Sequence, residues 1–306
     1  MQLHIFDFDG TIFCSPTPSV RLKTLPKGNL YAKLMRPLQD GGLGWFQSLS
    51  TLSPPVVPEV PPIEEWYVAP VMQRLRELKH YCANAAAAGD SVPVKVYVLT
   101  GRDEKYRGRM EQILRHAGLN ELVSDVFLKP HETYGTVKYK LEAFYTLIAR
   151  HRPEHVYYYE DRAEQGAKLL AGIQLLSRAV HANEPASFHT YSLMLHKSGE
   201  LHPIPPDGVH PDEGTLKPCN AALRWWEETQ RRASPDPLKS IAPFTFTLIM
   251  IDPELTARCE SILTSKAEDA LVAQLRYERE AYNASHPAPP PQRSSTGREM
   301  HHSYKK

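Results

Sequence analysis

Cysteine is scarce in this chain, and its four copies stand far apart. Cys14, Cys82, Cys219 and Cys259 form no C-x-x-C pair, so the spacing of zinc sites and of disulfide frameworks is missing and all four read as reduced thiols. An excess of charge of one sign is missing too: 36 Lys and Arg against 35 Asp and Glu leave a net charge of +1. No global field draws in a polyanion, so a contact with nucleic acid has to come from a local patch. No apolar run approaches the length of a membrane span, and the first residues run into a strand ending in acids instead of a secretory leader. The expectation is an intracellular protein, cytoplasmic or nuclear, with no membrane partner.

What is present starts almost at the first residue. The stretch LHIFDFDGT (residues 3–11) is a short apolar strand that stops at a turn carrying Asp7 and Asp9, with Gly10 allowing the chain to reverse. Acids at the carboxyl end of a buried strand face the ligand crevice of an open parallel sheet. Two carboxylates this close repel each other, and a divalent cation or a raised pKa relieves that repulsion. The plainer reading is a strand closed by an Asp-Gly turn. VKVYVLTGR (94–102) repeats the pattern with Thr100, Gly101 and Arg102 at its end, and VYYYEDR (156–162) repeats it with Glu160, Asp161 and Arg162. Between them TVKYKLEAF (136–144) opens a helix with Lys138 and Lys140 near its first turn.

The spacing of apolar residues predicts strands and helices in alternation. Helices are expected over 66–82, 103–117, 137–150 and 162–176, a short strand over 125–128, and a last strand at RAVHA (178–182). Residues 14–65 break the alternation with a proline tract and the turn DGGLGWF, an irregular insertion over the domain. Beyond Asn183 a strand pair, a helix over 216–232 and the strand FTFTLIMI (244–251) follow, with Asp252-Pro253 capping a long helix to Tyr282. The last stretch is proline-rich, polar and basic, which predicts disorder. The units are therefore 1–183 with a flap at 14–65, an α+β extension at 184–284, and a tail at 285–306.

The ordered set of motifs resembles the haloacid dehalogenase (HAD) superfamily of phosphohydrolases over residues 1–183. The resemblance implies an α/β fold, a Rossmann-like parallel sheet flanked by helices with an irregular flap after the first strand. It implies magnesium-dependent phosphomonoester hydrolysis with Asp7 as nucleophile, Asp9 as acid/base, the Thr100 hydroxyl donating a hydrogen bond to a phosphate oxygen and Lys140, before Lys138, stabilising a phosphoaspartate. Magnesium would be held by Asp7, Asp9 through its backbone carbonyl, and an acid of the EDR turn, Asp161 before Glu160. GGLGWFQ, the proline tract and EEWY (64–67) are similar to the HAD domain of Swiss Army Knife RNA repair proteins. TGR with EDR also resembles the phosphatase module of bacteriophage polynucleotide kinase-phosphatase. Both imply a phosphorylated substrate at nucleic-acid ends, with Gly101, Arg102 and Arg162 holding the phosphate.

Other readings stand beside these. Each arginine can instead brace its turn by pairing with a neighbouring acid, Thr100 can be a helix cap, and Trp45 and Trp66 can pack the loop instead of stacking bases. A small-metabolite phosphatase and a non-catalytic RNA-binding or scaffold module remain the alternative functions.

Overall fold

The computed structural model describes residues 1–24, 29–89, 94–180, 189–204, 213–233 and 241–286. Strand β1 (Gln2–Phe6) lies at the centre, since Leu3, Ile5 and Phe6 are fully buried and each removes an apolar side chain from water, worth about 1.5–3 kcal/mol. Around it stand β2 (Val94–Asp103), β3 (Val123–Lys129), β4 (His155–Glu160), β5 (His189–Leu195), β6 (Leu201–Pro203) and β7 (Thr245–Ile251). The sheet order is β3-β2-β1-β4-β7-β5-β6, and every pairing is parallel except β5 with β6. The chain runs outward from β1 to β3 and then returns to β4 on the other flank. That reversal opens a crevice at the carboxyl ends of β1 and β4.

The helices are α1 (Leu30–Met35), α2 (Ile63–Trp66), α3 (Ala69–Ala87), α4 (Arg107–His116), α5 (Thr136–His151), α6 (Ala163–Val180), α7 (Glu213–Ala233), α8 (Pro253–Thr256) and α9 (Ser265–Ser285). Side chains alternate along each strand, so both sheet faces are apolar and both are covered. Phe6, Val96 and Val98 pack with Leu75 of α3 and Met110 of α4, whereas Leu3, Ile5 and Leu99 pack with Phe144 of α5, Ile173 of α6 and Trp226 of α7. The result is a mostly parallel, Rossmann-like α/β sheet. None of its described helices is long and apolar enough to cross a membrane.

Two expected elements differ. Arg178–Val180 belong to α6, not to a strand, because Leu169, Ile173, Leu176 and Val180 keep the helical spacing and pack on one core; His181 and Ala182 lie outside the described residues. The single helix expected after Asp252 is broken. Asp252 caps only α8, a 3-10 turn follows at Ala257–Glu260, and Thr264 accepts from the Ala267 N–H to start α9 afresh. The strands beyond residue 183 continue the same sheet, with β7 between β4 and β5. The 184 boundary lies outside the described residues; of the tail expected from 285, Ser285 ends α9 and His286 caps it, and residues from 287 lie outside the described residues.

Residues 14–65 form short helical turns and bends, with no sheet strand among the described residues. Leu22, Leu34, Leu43 and Trp45 from this stretch pack against Leu271, Val272 and Leu275 of α9. Glu268 of α9 accepts from Ser19 N–H at 2.7 Å and from Arg21 at 2.8 Å, and Ser50 donates to Glu278 at 2.7 Å. The last described helix therefore straps the first irregular segment onto the body.

Candidate active site

Asp7 follows β1 directly, and its N–H donates to the Tyr159 carbonyl of β4 at 2.9 Å. This backbone bond sets its carboxylate between β1 and β4, out of solvent. Lys140, from the first turns of α5, is fully buried and reaches three oxygens: Asp7 Oδ1 at 2.8 Å, the Tyr158 hydroxyl at 2.8 Å and Glu160 Oε2 at 3.1 Å. Arg162 Nη2 stands 3.4 Å from Asp7 Oδ2. Burial pushes the Asp7 carboxyl up to about 6; Lys140 pulls against that, and the Glu160 charge adds to it. One ammonium is shared between two carboxylates and fully serves neither.

Asp9, two residues on, has the opposite surroundings. Arg102 at the end of β2 is buried and holds it with a fork, Nε to Oδ1 at 2.9 Å and Nη2 to Oδ1 at 2.8 Å, while Nη1 donates to Thr51 at 3.2 Å. The guanidinium lies over the Tyr106 ring at 4.6 Å. Burial pushes Asp9 up, but the Arg102 guanidinium outweighs it and holds the carboxyl below its ordinary value. Thr100 stands inside β2 and not at a helix cap, with its hydroxyl 3.5 Å from Asp9 Oδ2. Lys138 points away, to the Tyr134 hydroxyl at 2.8 Å and Glu142 at 3.0 Å.

The two acids of the EDR turn also part company. Glu160 accepts from Lys140, from Tyr158 at 2.6 Å, from Gln165 at 2.5 Å and from the Arg162 N–H at 3.2 Å. Burial raises its pKa, yet Lys140 and Arg162 outweigh burial and the carboxyl stays ionised. Asp161 Oδ1 is buried and accepts no hydrogen bond, with Arg162 Nε at 3.8 Å. Its carboxyl is pushed far up by burial and then by the charges of Glu160 and Asp7. Gly10, at φ +72°, packs against this group: a Cβ there would stand 2.3 Å from Asp161 Oδ2. Only glycine lets the first turn and the EDR turn meet.

The donor set fits a divalent cation. One oxygen each from Asp7, Glu160 and Asp161 lies within 4.8 Å of the others, Asp161 Oδ1 is buried without a hydrogen-bond partner, and hard oxygen ligands suit magnesium. Beside the cluster opens a cavity of about 390 Å³. Asp9, Gly101, Asp161 and Arg162 form one side, and Tyr31 and Phe46 of the irregular segment form the other. Gly101 packs closely on Thr136, as a Cβ would stand 2.9 Å from Thr136 Cγ2. Trp45 and Trp66 are both buried, Trp45 donating to the Pro16 carbonyl at 2.7 Å and Trp66 stacking on Phe13, so neither ring is offered to a ligand.

Asp7, Asp9, Thr100, Lys140, Glu160, Asp161 and Arg162 thus meet at one edge of the sheet. Sequence reasoning missed Tyr158 and Gln165. Tyr158 was within reach of it, since residues i and i+2 of a strand share a face and Glu160 was already in view. Gln165 lies one turn into α6 and gave no signal of its own. No protein-family model matches the chain, and comparisons with curated proteins and with solved structures give no match.

Proposed function

We propose that this chain is a magnesium-dependent phosphomonoester hydrolase of the HAD type, with Asp7 as nucleophile and a small phosphorylated molecule as substrate. The observation that carries the reading is the Asp7–Lys140–Glu160 cluster beside an orphaned Asp161 oxygen at the carboxyl ends of β1 and β4. Asp7 attacks phosphorus with a carboxylate oxygen as the bond to the leaving oxygen breaks, that oxygen takes its proton from solvent water, and Lys140 offsets the charge on the acyl phosphate. A second water then attacks that phosphorus and gives its proton to Asp9, which passes it back to the solvent, while the bond from phosphorus to Asp7 breaks and inorganic phosphate departs. Asp7, Asp161 and the Asp9 backbone carbonyl would hold magnesium, with Glu160 the other acid of the cluster, and the cation would supply Lewis-acid neutralisation of the phosphate oxygens. Arg162, with its side chain half exposed, is free to turn from Asp7 to an arriving phosphate.

The substrate class follows from the cavity. Tyr31 and Phe46 wall it and both tryptophans are turned inward, which supports a small molecule over an RNA or DNA end. A second reading is a non-catalytic phosphate-binding module, and one observation favours it: Arg102 keeps Asp9 ionised, so no proton is stored there for a leaving alcohol. A phosphatase screen with and without magnesium, over sugar phosphates, nucleotides, aryl phosphates and end-phosphorylated oligonucleotides, separates them. Magnesium-dependent release of phosphate that Asp7→Asn abolishes supports the hydrolase; binding of phosphate esters without turnover supports the module.

A further inference from the structure

The cavity that Asp161 lines is also lined by Lys129, the last residue of β3. It is 7% exposed, and its ammonium donates to the Glu132 carbonyl oxygen at 3.1 Å. Among the described residues no carboxylate lies within ion-pair distance of it. The two nearby acids are engaged elsewhere: Lys105 holds Asp103 at 3.3 Å and Glu132 at 3.0 Å. A buried ammonium with a single backbone acceptor and spare donors is costly unless something arrives to complete it. Burial lowers its pKa, as expected of a charge short of a partner.

We propose that Lys129 recognises a second anionic group, a carboxylate, on the alcohol part of the substrate, so that the ligand class is a phosphorylated carboxylic acid. This inference rests on the phosphohydrolase reading, which places the ester's phosphate beside Asp7, Lys140 and Arg162. Strand order gives the separation. β1 and β3 are two inter-strand steps apart, roughly 10 Å at the usual spacing, which a linker of about three to five carbons spans. The cavity is also lined by Gly101, which carries no side chain, and by Tyr31, Met35 and Phe46, which suit a carbon skeleton. A carboxylate is favoured over a second phosphate because one ammonium neutralises one negative charge, and Glu260 on the same cavity opposes a dianion.

The test is calorimetric binding to the full chain carrying Asp7→Asn, with magnesium present. The probes are alkyl phosphates, ω-carboxyalkyl phosphates and α,ω-alkyl bisphosphates, each with about two to six carbons. The carboxyalkyl ester should bind about tenfold tighter than the alkyl ester at one optimal length, the worth of one charge-assisted hydrogen bond. Adding Lys129→Met should bring that ratio to about one, and Lys129→Arg should restore most of it. A ratio near one at every length in the parent overturns the inference, as does a ratio that Lys129→Met leaves unchanged or bisphosphates that bind tightest. The length dependence in the parent needs no change at Lys129, so it decides the matter even where Lys129→Met fails to fold. Alkyl phosphates that bind without a carboxylate preference sink this inference alone; failure of every ester to bind sinks the phosphohydrolase reading with it.

Discussion

Asp7 and Asp9 are separated by one residue and finish the same strand, yet the molecule treats their charges in opposite ways. Asp7 shares a buried ammonium with Glu160 and is pushed up to about 6, whereas Asp9 has a guanidinium fork to itself and is held down. The cause is the strand order. β1 lies between β2 and β4, so Asp7 meets the acidic end of β4 on one flank while Asp9 meets the arginine that ends β2 on the other. A D-x-D motif therefore supplies two chemically different groups: a carboxylate that an incoming cation would relieve, and one already neutralised.

The comparison breaks most sharply on activity. Asp7→Asn should lower turnover of any accepted phosphomonoester by about 10⁴-fold or more, measured as magnesium-dependent phosphate release, while Asp9→Asn should leave a slower but measurable enzyme. Equal losses would remove the distinction between the two acids. The next effect is on stability. Lys140→Met strands Asp7 and Glu160 together in a buried site and should cost about 3–5 kcal/mol in urea unfolding, part of it recovered by adding Glu160→Gln. Arg102→Met should cost less, because the Asp9 side chain keeps 17% exposure and water can reach it. A larger loss from Arg102→Met would reverse the ranking.

Magnesium sharpens the same contrast. If the Asp7 side of the site is the one short of positive charge, magnesium at about 100 times its dissociation constant should stabilise the protein by about 2.7 kcal/mol. Asp161→Asn should abolish that gain and Glu142→Gln, on the far side of α5, should not. Thermal unfolding with magnesium and with chelator measures it. An unchanged gain in Asp161→Asn would show that the cation binds elsewhere.

Much of this arrangement is legible in the sequence because the strands that carry it are short, apolar and punctuated. β1 runs into Asp7 and Asp9, β2 carries Thr100-Gly101-Arg102 near its end and β4 runs into Glu160-Asp161-Arg162, and strand ends are where a parallel sheet collects its chemistry. The choice of Lys140 over Lys138 was legible in part, as neighbouring lysines on a helix point to different faces. What could not be read is long-range. No local pattern says that Arg102 folds back onto Asp9, that Glu268 ties down Ser19 and Arg21, or that β7 inserts between β4 and β5. The RAVHA strand fails for the same reason: its residues suit a strand locally, and the core contact of Val180 keeps Arg178–Val180 in α6.

The smallest expected effect separates the two acids by sign, in chelator-treated protein. Asp7 has an ordinary value of 3.8 and sits near 6 when folded, so between those values the native state keeps a proton that the unfolded chain has lost. Its contribution to stability is full below 3.8 and is lost as pH rises through about 6. Asp9 is held below 3.8, so its contribution is present above that value and is lost as pH falls through the lowered one. Urea unfolding of the parent, Asp7→Asn and Asp9→Asn from pH 4 to 8 measures both, since other groups cancel in the differences. The stability of the parent relative to Asp7→Asn should fall by up to about 1.4 kcal/mol per pH unit between pH 4 and 6. The difference between the parent and Asp9→Asn should never fall over that range and should be level from about pH 5 upward, where Asp9 is ionised in the folded and the unfolded chain alike. A level difference for Asp7→Asn as well would mean that Lys140 satisfies Asp7 as fully as Arg102 satisfies Asp9, and the electrostatic contrast between the two acids would be gone.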